Sequence, residues 1–198
     1  VLVERIALEA RESEFVDRKS GVSARLTISA LESVISGAEL RALKNGEERT
    51  VARIGDLQAV VPAITGKIEL VYEGEQEGPE KVAHHLLGLA VRNVFSELFP
   101  DPVKARKQKA RPDPYAAIIS YFDGGACDLM SDATDKVHAK SLAAVPGLVE
   151  LVQERHAYLD AEERLLWAEF VLHGLAEHSR IGRSTLQEKV TFSDLFQA

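Results

Sequence analysis

The chain has 198 residues, 45% apolar and 28% charged, a composition that excludes a disordered or fibrous protein and can supply a buried core. Its 24 basic and 31 acidic residues leave a net charge of −7, which argues against a general binder of nucleic-acid backbones. The single cysteine, Cys127, excludes a disulfide scaffold and a cysteine-built zinc site, and apolar runs of about ten residues fall short of the ~20 that span a bilayer.

Val1 opens the sequence and the only methionine is Met130. The chain is therefore expected to be a piece of a longer cytoplasmic protein. Glu4 and Arg5 interrupt the opening apolar residues, and no signal peptide is read there. Leu2, Ile6 and Ala10 place one face on a first helix, about residues 1–12, and a polar loop follows over 13–21. Ile28, Leu31, Ile35, Ala38 and Ala42 recur at helical steps and predict a second helix with one apolar stripe. Ser23 is placed to cap its start and Asn45-Gly46 to end it.

A third helix is expected over about 54–65, kinked or shortened by Pro62, then a short alternation at Ile68, Leu70 and Tyr72. Residues 73–79 read as an acidic, glycine-bearing connector. Pro79 suits the first turn of a long helix that ends near Leu98. Pro100-Asp101-Pro102 stops that helix. A basic run, Lys104, Arg106, Lys107, Lys109 and Arg111, then sits within an expected exposed linker at 100–112. Helices are predicted near 114–122, 135–144, 147–156 and 160–179, with a break at Gly124-Gly125 and a polar tail carrying Phe192, Leu195 and Phe196. The fold class this predicts is all-α.

Chemistry is sparse. No G-x-x-x-x-G-K-[ST] phosphate loop and no G-x-G-x-x-G is present. Glu169, His173 and Glu177 share a face of the last long helix, spacing that a metal could use. The set lacks a further converging ligand, and is read as a hydrogen-bonded or solvated face, with no metal. Cys127 has no base nearby in sequence and is read as a buried or loop thiol. The basic run lacks interleaved aromatics, and reads as a solvated linker and not as a nucleic-acid site. No catalytic residue is assigned. The remaining candidate is Ser20-Gly-Val-Ser-Ala-Arg25-Leu26, a flexible turn that places an arginine in the first turn of a helix. The helix dipole disfavours a cation there. Arg25 then either meets an anion from elsewhere or pairs with Asp17 or Glu14.

Gly21-Val-Ser-Ala-Arg25-Leu26 resembles the G-A-S-P-R-A segment of AAA+ ATPases of the magnesium-chelatase and MoxR type. That segment opens the helix carrying the sensor 2 arginine. The order that follows is similar as well: a helix through Arg41, Asn45-Gly46, Val51 to Leu57, then Val60-Val61-Pro62-Ala63-Ile64. The run from Ile68 to Gly78 looks like bacterial proteins described as magnesium-chelatase-like or sigma-54-interacting ATPases. Ala24 stands where the family has proline. The resemblance covers residues 1–78; residues 79–198 match no catalytic motif. It implies a helical AAA+ lid over 1–78 and a C-terminal helical extension over 79–198.

By that resemblance Arg25 is the sensor 2 residue on the ATP γ-phosphate, with Ser23 and Gly21 beside it. ATP and magnesium would be bound in the parent protein only, by an N-terminal AAA+ domain of the same chain. The parent would work as a homo-oligomeric ring that remodels an unknown protein partner, and the fragment alone would not be an ATPase. The other readings are a free-standing α-helical adaptor for another protein, with no nucleotide role, and a small metal-dependent enzyme built on Glu169, His173 and Glu177.

Overall fold

The computed structural model describes residues 1–20, 22–107, 112–186 and 188–196. Helix α1, Leu2–Glu12, buries Ile6, Ala7 and Ala10. Helix α2, Ala24–Asn45, starts at Ser23, whose hydroxyl accepts from the Arg25 backbone N–H at 3.2 Å. It ends at Gly46, which at φ +67° takes the left-handed position that lets its N–H reach the Ala42 and Leu43 carbonyls.

The buried stripe of α2 shares Ala38 and Ala42, but not Ile28, Leu31 or Ile35, with the one that hydropathy picks. Leu26, Ala30, Val34, Ala38, Arg41 and Ala42 face inward, whereas Ile28, Leu31 and Ile35 are about half exposed. The inner face packs against α1 and the segment around Ala59, where a Cβ on Gly37 would make an ordinary contact with the Ala59 Cβ at 3.5 Å.

The expected third helix is divided. A 3-10 turn, Gly55–Val60, leads directly into α3, Val61–Thr65, with Pro62 in the first turn where its missing N–H costs nothing. The alternation around Leu70 is a single antiparallel bridge to Val16. The acidic connector is partly a helix, α4, Tyr72–Glu77. Helix α5, Pro79–Leu98, has the bounds its sequence predicts and a broad buried face that includes Val82, Leu86, Ala90, Val94 and Phe95. It packs against α1, α3 and α4, and against a later helix, α10, Ala161–Glu177. Asp160 and Glu163 form a reciprocal cap on α10.

At the crossing of α5 and α10 the backbone of Gly174 lies against the Phe95 ring, and a Cβ there would come within 2.1 Å of it. Gly174→Ala is expected to destabilise the fold by about 2 kcal/mol through overpacking. Urea denaturation checks this, and an unchanged midpoint would mean that the helices do not cross so closely.

Between α5 and α10 come α6, Pro102–Lys107, α7, Ala116–Phe122, α8, Asp135–Ala143, and α9, Leu148–Arg155. Helix α6 occupies part of the expected linker; Gln108 to Arg111, which carry the rest of the basic run, lie outside the described residues. One hydrophobic core joins Ile6, Leu26 and Ile64 to Leu86, Leu148 and Phe192. No helix among the described residues is long and apolar enough to cross a membrane.

The all-α expectation is corrected by a three-stranded antiparallel sheet, which makes the fold mostly helical but mixed. Strand β1, Cys127–Met130, pairs with β3, Lys189–Ser193, and β3 pairs with β2, Gly182–Leu186, in the order β1-β3-β2. Cys127 lies opposite Phe192 and Gly182 opposite Ser193. Each strand has four or five residues, too few for an alternating pattern to stand out. The pairing of β1 with β3 also links segments far apart in the chain, which local periodicity does not register.

Candidate functional site

Arg25 and Ser23 lie where the sequence places them, at the start of α2. Both are exposed. Arg25 makes no ion pair with Asp17, Glu14 or any other described acid: among the described residues the Asp17 carboxylate instead accepts from the Lys19 N–H at 2.8 Å. Gly21 lies outside the described residues. The start of α2 therefore presents a capped helix end and a guanidinium in solvent, with no acid among the described residues drawing it back.

A second polar centre is buried. The Glu169 carboxylate is 2% exposed. It accepts the backbone N–H groups of Ile54 and Gly55, each at 3.0 Å, at the beginning of the 3-10 turn. His138 Nε2, from α8, stands 3.4 Å from Oε2, and His173 Nε2, one turn further along α10, stands 3.8 Å from Oε1. Burial acts to raise the carboxyl pKa, but His138, His173 and the Gly55 N–H outweigh it and hold the group below its ordinary value. Glu169 is thus an anion that staples α10 to the 3-10 turn.

His173 is held differently. Arg183, on β2, donates to His173 Nδ1 at 3.1 Å, which leaves the imidazole proton on Nε2. Burial and the nearby Arg183 charge push its pKa down to about 4, against the opposing pull of Glu169. It is a neutral histidine at pH 7. Glu177 does not join Glu169 and His173. Its carboxylate turns to Arg183, 2.8 Å away, so the three residues that share a helix face do not converge. Among the described residues no three His, Cys, Asp or Glu side chains form a group suited to a metal ion. His84 and His85 are both exposed on α5.

Cys127 is buried, with its Sγ 3.6 Å from the Ser141 carbonyl, and burial raises its thiol pKa to about 12. That is the opposite of what a nucleophilic thiolate needs.

The sequence reading missed a third polar group. Arg41 and Arg53 are buried. The Arg41 guanidinium donates to Asp56 Oδ2 at 3.0 Å, to Asp135 Oδ1 at 3.1 Å and to the Val51 carbonyl at 2.8 Å. Arg53 donates to Asp135 Oδ1 at 2.6 Å and to the Ala133 carbonyl at 2.8 Å. The end of α2 is thereby tied to the start of α8. The available signal is the position of Arg41, in register with the small residues Ala30, Val34 and Ala38, where a charge needs partners to be buried. Val51 and Asp56 lie 10 and 15 positions away, but Asp135, which joins Arg41 to Arg53, lies 94 positions away, so the sequence does not name it.

No protein-family model, no curated protein and no solved structure matches the chain.

Proposed function

We propose that the chain is the lid and C-terminal part of a magnesium-chelatase-like AAA+ ATPase, with Arg25 acting as the sensor 2 arginine. The observation that carries this reading is the exposed Arg25 at the capped start of α2, without an ion-pair partner among the described residues. A guanidinium is permanently charged and offers five N–H donors, which suits it to phosphate oxygens. The chain has no phosphate loop of its own. ATP and magnesium would therefore be held by a preceding α/β domain, and this chain would contribute Arg25, the rigid helix behind it and the buried ties at Arg41. The row Ile28, Leu31 and Ile35, exposed along α2, supports a further contact surface. In this reading it faces another subunit of a cytoplasmic ring that remodels a protein partner. The same row favours the second reading, a helical adaptor that docks on another protein without nucleotide.

Arg25→Ala in the full-length protein separates the two. An exposed arginine contributes only about 0.5 kcal/mol to stability, so the melting temperature should stay nearly constant. ATP turnover should fall by about a hundredfold, the scale of one lost transition-state donor. Unchanged turnover, or a full-length protein with no ATPase activity, would reject the sensor role.

A further inference from the structure

A cavity of about 470 Å³ lies between the 3-10 turn, α5, α10 and the β2–β3 hairpin. This is within the range that small-molecule sites occupy. Leu57, Leu87, Val91 and Val190 supply its apolar lining, and Arg183, Gln58, His84 and Thr185, the last paired across the hairpin with Val190, supply its polar lining. Arg183 is fixed from two sides, through Nη1 to His173 Nδ1 at 3.1 Å and Nη2 to Glu177 at 2.8 Å. Space for the Glu177 carboxylate exists because residue 88 is glycine: a Cβ there would come within 2.9 Å of it. The other guanidinium N–H groups have no partner among the described residues. A donor held in place before binding loses little freedom when a ligand arrives.

Charge decides the class of ligand. Glu177 neutralises Arg183, His173 is neutral, and the Glu169 anion lies behind the Gly55 backbone. The polar lining around Arg183 therefore offers N–H donors whose charge Glu177 balances. A carboxylate or phosphate placed on Arg183 would approach the Glu177 carboxylate that already pairs with it, whereas an uncharged acceptor avoids that repulsion. We propose that this cavity binds a small uncharged molecule that joins a carbonyl or amide oxygen to an apolar ring or chain, the oxygen on Arg183 and the apolar part against Leu87 and Val91. This inference does not depend on the role of Arg25.

Benzamide and benzoate test it, because they share a shape and differ in charge. In a two-dimensional amide NMR titration of the chain, benzamide should give saturable shifts at Leu87, Val91 and Thr185 and bind more tightly than benzoate. Arg183→Met should weaken benzamide about tenfold, the value of a hydrogen bond to a charged group. Thr185→Trp, at an exposed strand position that tolerates aromatics, should abolish binding by covering the cavity, and it keeps the test valid if Arg183→Met fails to fold. Tighter binding of benzoate would overturn the proposal, as would shifts elsewhere, binding unaffected by Thr185→Trp, or no saturable binding up to the solubility limit of benzamide.

Discussion

Glu169→Ala is expected to lower folding stability by about 3–5 kcal/mol, the scale of breaking a buried charge network on one side. The substitution removes the acceptor for the Ile54 and Gly55 N–H groups, and a buried donor without a partner carries its full desolvation cost. It also leaves His138 and His173 facing a void, since both contact the carboxylate and neither Nε2 has another hydrogen-bond partner among the described residues. Denaturation in urea, with fluorescence of Trp167 as the probe, measures the loss. Glu169→Gln, which keeps one acceptor oxygen, should recover part of it. A change below about 1 kcal/mol for Glu169→Ala, typical of an exposed pair, would show that the carboxylate is not buried between α8, α10 and the 3-10 turn.

Acid should destabilise the protein in two stages. The His173 pKa falls from its ordinary 6.5 to about 4 on folding. Between those values the unfolded chain binds a proton that the folded chain does not, so stability decreases as pH drops through this window. The loss integrates to about 3 kcal/mol. Glu169 acts from the ordinary carboxylate value downward. Its folded pKa is depressed, so its contribution is present above the ordinary carboxylate value and disappears as pH falls through the folded one. Stability measured by urea midpoint from pH 7 to pH 4 should fall steadily, and His173→Gln, which retains an acceptor toward Arg183, should flatten the upper part of the curve. An identical slope in the variant would mean that His173 takes up its proton in the folded state.

Helices were legible where burial and hydrophobicity coincide. In α5, the large residues Leu86, Leu87, Val94 and Phe95 are also the buried ones, so periodicity gives its bounds. In α2 the two separate. The face turned to the 3-10 turn carries Ala30, Val34 and Ala38, and the larger Ile28, Leu31 and Ile35 are left outside. The cap at Ser23 and the stop at Gly46 were still readable, because they depend on a local hydroxyl and on a left-handed backbone. The sheet was not, because β1 meets β3 only after α8, α9 and α10 have folded the chain back.

The polar residues divide in the same way. Arg25 and Glu169 were singled out from local pattern. Their surroundings were not, since Ile54, His138 and Arg183 reach Glu169 and His173 from three other elements. The spacing of Glu169, His173 and Glu177 suggested a shared face, but Arg183 draws Glu177 away from the other two.

The central functional claim is that Arg25 meets the terminal phosphate of a nucleotide, and the most direct measurement compares ATP with ADP. Equilibrium binding of both to the full-length protein should be determined for the native sequence and for Arg25→Ala. The account predicts that the variant loses about tenfold in affinity for ATP, one charge-assisted contact, while its affinity for ADP does not change. Equal losses for both nucleotides, or no loss for either, would contradict it.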